Sequence, residues 1–127
     1  MEKESTTLFI FIHRTFPSLN EFIAASKQRK GNWNAGAAMK KRDQAIIRRY
    51  LPHARLNKPV RIDYTFYEPN RRRDHDNVAS YFHKVFQDAL VDAGILEDDG
   101  WGYITGYSDT FYVDRKAPRI LVTITEE

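Results

Sequence analysis

Among its 127 residues the chain has no cysteine. Disulfides and thiolate metal sites are therefore excluded, and a reducing cytosol is the expected setting. No apolar run approaches the ~20 residues that span a bilayer. Met1-Glu2-Lys3-Glu4-Ser5 does not read as the start of a signal peptide. There is no glycine-rich phosphate loop, no internal repeat and no low-complexity segment. The four histidines, His13, His53, His75 and His83, lack metal-ligand spacing.

What is present is an ordinary globular composition, 42% hydrophobic with a net charge of +3. It suits one domain over residues 1–127 with one core. The charge is unevenly spread. Up to Arg73 there are 16 Lys and Arg against 6 Asp and Glu; from Asp74 onward there are 4 against 11, so that +10 and −7 make up the net +3. Basic arms around a carboxylate cluster suit a protein that grips phosphates and positions a metal at one of them. The plainer reading is a surface coated with charge.

Thr6 to His13 is β-branched and aromatic, a strand with so few polar positions that burial on both faces is expected. Ser18-Leu19-Asn20-Glu21 is a capping box, opening a helix from Leu19 to about Gln28 whose tail, Lys27-Gln28-Arg29-Lys30, is basic. That tail fits either dipole complementarity or DNA contact. Gly31-Asn32-Trp33-Asn34 reads as a loop. Ala35 to Tyr50 reads as a second helix, with Ala38, Ala45, Ile46 and Tyr50 as its apolar side and Lys40, Lys41, Arg42, Arg48 and Arg49 as a basic face, and Pro52 ends it.

Val60 to Tyr67 alternates with period two, Val60, Ile62, Tyr64 and Phe66 facing one way. Glu68-Pro69-Asn70 is a turn. Val78, Tyr81, Phe82, Val85, Phe86, Ala89, Leu90 and Ala93 form the best-defined helical stripe, capped at its start by Asp76 or Asn77 and closed by Gly94. Lys84 and Asp88, four apart, form an ordinary helix ion pair. A tight loop, Glu97-Asp98-Asp99-Gly100-Trp101-Gly102, follows. Tyr103 to Gly106 is strand or bulge, Phe111 to Val113 a strand end, Asp114 to Pro118 a hairpin connection and Arg119 to Thr125 the last strand.

Between strand and stripe stands Arg71-Arg72-Arg73-Asp74-His75-Asp76-Asn77, where three cations meet two carboxylates. If extended, Asp74 and Asp76 point to the same side and His75 to the other, leaving His75 a structural part. Oxygen ligands beside phosphate-binding cations suit Mg²⁺, which takes few carboxylates and leaves positions for water and substrate phosphate. Asp99 is a third carboxylate that the helix could return to the same place. Taken alone, Asp-x-Asp is also explained by a turn and a helix cap. An EF-hand is excluded by Val78 and Ala79, and an aspartyl phosphatase by the six residues that part the strand from Asp74.

The joined pattern Arg71-Arg72-Arg73-Asp74-His75-Asp76-Asn77, Lys84, Phe86-Gln87-Asp88-Ala89-Leu90, Ala93-Gly94-Ile95 and Asp98-Asp99 resembles the RusA family of Holliday junction resolvases, small endodeoxyribonucleases frequent in prophages. Phe16-Pro17-Ser18-Leu19-Asn20 is similar to the family's segment near the N-terminus. The resemblance implies a homodimer with one Mg²⁺-dependent site per subunit, Mn²⁺ able to substitute, making paired symmetric nicks in four-way junctions during DNA recombination and repair. It implies Asp74, Asp76 and Asp99 as catalytic metal ligands, Lys84 as the catalytic-site lysine, and Arg71, Arg72 and Arg73 as DNA contacts, Arg73 foremost. Between Asn77 and Lys84 the chain is about four residues longer than the family's founding pattern, about one helical turn or ~6 Å along the axis.

The expected fold is thus α+β, in the order β-α-α-β-α-β-β, with a mixed four-stranded sheet packed with helices, in a cytoplasmic protein with no membrane partner. Phe111 and Tyr112 are candidates for the dimer interface. A non-catalytic junction- or DNA-binding protein is the alternative, and an acidic-loop interaction domain without DNA a third reading.

Overall fold

The computed structural model describes residues 5–127. Along the chain run β1 (Thr7–Ile12), α1 (Leu19–Ser26), β2 (Arg29–Lys30), β3 (Trp33–Asn34), α2 (Ala35–Arg48), β4 (Val60–Glu68), α3 (His75–Asp92), β5 (Ile104–Val113) and β6 (Arg119–Glu126). The fold is α+β, with one mixed four-stranded sheet and three helices. The sheet order is β1-β6-β4-β5; β6 is antiparallel to both β1 and β4, and β5 is parallel to β4. No helix among the described residues is long and apolar enough to cross a membrane.

Period two decides β4: Val60, Ile62, Tyr64 and Phe66 are fully buried. Their neighbours across the sheet, Ile120, Val122 and Ile124 on β6, share that face. The stripe of α3 lies over it, with Val78, Tyr81, Phe82, Val85, Phe86, Ala89 and Leu90 buried and Ala79 added. Phe82 meets Tyr64 and Phe66 edge-on, at ring distances of 5.9 and 5.7 Å. Each such aromatic contributes roughly 1.5–3 kcal/mol on burial. Gly94 follows the helix at φ 76°, the left-handed turn that glycine adopts without a Cβ penalty.

Several expectations are corrected. β1 is not buried on both faces: Ile10 and Ile12 are buried, but Phe9 and Phe11 are 67% and 54% exposed. One face of the sheet is left without a helical layer. Gly31 to Asn34 is no plain loop, since Lys30 pairs with Trp33 and Arg29 with Asn34 as a small hairpin. The apolar side of α2 matches the expected one only at Ile46 and Tyr50, which pack half-buried against the core. Ala38 and Ala45 are exposed, whereas Gly36, Asp43 and Ile47 are buried. Asp43 accepts from the Tyr81 hydroxyl at 2.7 Å and from Arg42 Nε at 3.1 Å, so a carboxylate sits inside the α2–α3 contact with its partners. Burial, reinforced by that bond, pushes the Tyr81 phenol well above its ordinary range. Residues 104–113 form one continuous edge strand, held to α3 where His83 Nε2 donates to Asp109 Oδ1 at 2.7 Å.

Glu126 closes the sheet. Its carboxylate accepts from the backbone N–H groups of Thr6, Asn57 and Lys58 at 2.9, 3.1 and 3.3 Å. The Thr6 bond, ahead of the others, holds its pKa below the usual carboxylate value. A depressed carboxylate contributes stability that is present above its unfolded pKa and is lost as pH falls through the lower folded value. Glu126→Gln should therefore melt lower than wild type at pH 7, with the gap closing below about pH 4. Thermal melts of both proteins from pH 7 to 3 check this; a gap that is the same at every pH rejects it.

Candidate functional site

The Asp-rich stretch lies where β4 ends and α3 begins. Asn70 Oδ1 accepts from Arg72 N at 3.0 Å, turning the chain out of the strand. Asp74, not Asp76 or Asn77, is the N-cap of α3. Its backbone is extended, at φ −72° and ψ 165°, and its Oδ1 accepts from Asn77 N at 2.8 Å. Asp76 therefore sits in the first helical turn, where the helix dipole favours its charge. The two carboxylates are not alternate residues of an extended segment, yet both line the same cleft. That cleft, of about 960 Å³, also takes in Glu68, Asn70, Arg71 and Arg73, and its wall includes Phe111, Tyr112 and Val113. His75, expected on the opposite side, lines the same cleft and stacks flat on Phe111 at 3.9 Å.

The three arginines have different situations. Arg73 is held inside the fold: its Nε donates to Glu68 Oε1 at 2.9 Å and its Nη1 donates to the Phe16 carbonyl at 2.7 Å. It also lies 3.6 Å from Glu21, a member of the α1 capping box. Arg71 and Arg72 are exposed and make no ion pair among the described residues. Asn77 ties the same corner from the other side, its Oδ1 accepting from Asn20 N in the first turn of α1 at 2.8 Å. It thereby satisfies one of the N–H groups that a helix start leaves without an internal partner.

Asp99 and Lys84 lie elsewhere. Lys84 is 3.3 Å from Asp88, the expected helix pair, and 3.8 Å from Asp99. Lys84 follows Asp74 by ten residues, about 15 Å along a helix axis. The cause is the topology. Because β5 is parallel to β4, α3 must run back along the sheet, so the segment after it starts at the opposite end from the cleft. Buried Ile95 and Leu96 anchor that segment, and Leu56 N donates to the Ile95 carbonyl at 2.8 Å. The expectation that α3 returns Asp99 to Asp74 and Asp76 is therefore corrected within one protomer.

Sequence reasoning missed Glu68, a 7%-exposed carboxylate at the floor of the cleft. The signal was available: Glu68 falls on the same side of the alternation as Phe66, so it had to be an inward-facing acid needing a cation. Among the described residues no three His, Asp or Glu side chains stand close enough to hold an ion together. Asp74 and Asp76 alone meet the minimum for Mg²⁺, which is commonly held by one or two carboxylates with water and substrate phosphate completing the shell.

The basic helix α2 is largely neutralised by its surroundings. Lys40 pairs with Asp88 at 2.7 Å, Arg42 with Asp43 at 3.1 Å and Arg48 with Asp92 at 2.9 Å. No protein-family model matches the chain, and no curated protein sequence matches it.

Removing Arg73 leaves the nearly buried Glu68 uncompensated and unties α1 from β4. Arg73→Gln should destabilise the protein by about 2 kcal/mol, less than the 3–5 kcal/mol of a fully buried pair because Arg73 is partly solvated. Arg71→Gln and Arg72→Gln should change stability by under ~0.5 kcal/mol. Urea unfolding of the three variants measures this; equal stability of all three removes the structural role of Arg73.

Proposed function

We propose that the protein is a Mg²⁺-dependent, structure-selective endodeoxyribonuclease of RusA type, working as a cytoplasmic homodimer that resolves four-way DNA junctions by paired nicks. One observation carries the reading. Asp76 is exposed in the cleft and its carboxylate makes no hydrogen bond or ion pair among the described residues, so folding has little use for it there. Arg71 lines the same cleft and Arg72 is exposed next to it in sequence, so both can reach phosphates.

Asp74 and Asp76 would hold the metal, which when bound supplies positive charge at the scissile phosphate and lowers the pKa of a water. Asp74 spends Oδ1 on its cap, so that bond also fixes the carboxylate's orientation. Arg71 and Arg72 would grip the backbone on either side. Glu68 and the Phe16 carbonyl hold Arg73, and Arg73 in turn braces the start of α3, which carries both carboxylates.

A dimer is proposed because one chain carries one such cleft and two incisions related by a two-fold axis need two. The uncovered sheet face supports it: Phe9, Phe11 and Tyr112 are more than half exposed there, Tyr112 stacking on Tyr67 at 5.3 Å. Phe111 is instead half-buried between His75 and Phe66. Light scattering at micromolar concentration should give twice the chain mass; a monomer, free and on junction DNA, counts against it.

The second reading, a junction-binding protein without cleavage, is favoured by the distance of Asp99 and Lys84 from the cleft. A synthetic four-way junction incubated with and without Mg²⁺ separates the two. Symmetric paired nicks that require the metal support the enzyme, whereas binding without nicks supports the alternative. Within the enzyme reading, Asp76→Asn should cut at least ~10²-fold more slowly. It should melt within ~1 kcal/mol of wild type, the whole of its helix-dipole contribution. Junction binding in Ca²⁺ should hold or tighten. Wild-type cutting by Asp76→Asn would sink the metal site.

A further inference from the structure

The hairpin β2–β3, between α1 and α2, presents Trp33 with 55% of its surface exposed. A lone exposed aromatic is unremarkable on a protein surface. This one is braced, and a cation, Lys30, is its cross-strand partner. Asn34 Nδ2 donates to the Ser26 carbonyl at 2.8 Å, Asn34 Oδ1 accepts from Ala37 N at 2.9 Å, and Ala35 N donates to the Gln28 carbonyl at 3.0 Å. Gly36 lies so close to Ser26 that a Cβ there would collide with it. The hairpin turns at Gly31, whose φ is 60°. Asn34 thus faces the helices. Lys30 and Trp33, directly paired, share the opposite, outward face.

Lys27, Arg29 and Lys30 make no ion pair among the described residues, in contrast to Lys40, Arg42 and Arg48 on the neighbouring helix. The hairpin is also aligned with the cleft. The start of α1 is bonded to the cleft through Asn20–Asn77 and Glu21–Arg73, and the hairpin leaves its other end. Eight helical residues span ~12 Å. That corresponds to three or four nucleotide steps at ~3.4 Å each.

We propose that this hairpin is a second DNA subsite, in which Trp33 stacks on an unpaired base while Lys30, on the same face, holds the adjoining phosphate and the exposed Lys27 and Arg29 of the same segment add positive charge. It rests on the DNA reading above and gives that reading a preference for branched or single-stranded substrate. An aromatic face accepts any base, so the subsite selects for unpairing and not for sequence.

The full chain carries two tryptophans, so Trp101→Phe leaves Trp33 as the only one. This protein is titrated with an oligothymidylate of about 12 nucleotides, a blunt duplex of equal length and a four-way junction. Saturable quenching of Trp33 emission is expected with the single strand and the junction, and not with bound duplex. Trp33→Ala should weaken single-strand binding by about tenfold, with Trp33→Phe retaining most of it and duplex affinity unchanged in both. The quenching experiment keeps Trp33 in place, so it holds even if the alanine variant folds poorly. Unchanged emission with bound single strand, equal quenching by duplex, or full single-strand affinity in a folded Trp33→Ala overturns the subsite and leaves the cleft reading intact. Failure to bind any of the three DNAs overturns both.

Discussion

Parallel pairing of β4 with β5 obliges the chain to travel from one end of the sheet back to the other, and α3 makes that journey. Its apolar stripe supplies eight buried core residues, more than any other element among the described residues. Tyr64, Phe66, Phe82 and Phe86 lock the crossover helix to the central strand with stacked and edge-on rings. Everything at the cleft follows from where that helix must start. Its N-terminus has to stand beyond the end of β4, so the residues of the connection, Asn70 to Asp74, are placed there with the helix dipole behind them. The loop that follows Gly94 is delivered to the far end, and β5 then runs back to put Phe111, Tyr112 and Val113 in the cleft wall.

The corner between β4, α1 and α3 is held by polar bonds. Arg73 joins Glu68 to the Phe16 carbonyl, Asn77 joins α3 to α1, and Asp74 caps α3. Three residues of one seven-residue run are therefore committed to scaffolding. His75 stacks on Phe111, and Arg71, Arg72 and Asp76 are the exposed members whose side chains no such contact ties down among the described residues. Charge works the same way on a larger scale: the basic first half of the chain is partly spent on acids from the second half, as Arg48 is on Asp92 and Lys40 on Asp88.

Much of the fold could be read from residue order. The alternation of β4 and the stripe of α3 are strong because both elements are buried on a defined face. The capping box of α1 is local chemistry and formed as written. β5 could not be read as one strand, because an edge strand buries little and Gly106, Ser108 and Asp109 interrupt its apolar pattern. The buried face of α2 was hidden by Asp43, a charge that enters the core only because Tyr81 is there to bond it. At the site, the nearness of Asp74 to Asp76 is a matter of sequence, whereas the separation of Asp99 depends on strand direction, which no local pattern carries.

The bond from Asn77 to α1 and the cap made by Asp74 bear on descent as well as on shape. A lineage that lost all chemistry would still be held to these two residues by the need to fold, and to Arg73 by Glu68. An Arg-Asp-x-x-Asn remnant would then persist on structural grounds alone. Asp76, which folding scarcely uses, would drift first. Across divergent descendants of this fold, the acid at that one position would record whether a role beyond folding was under selection.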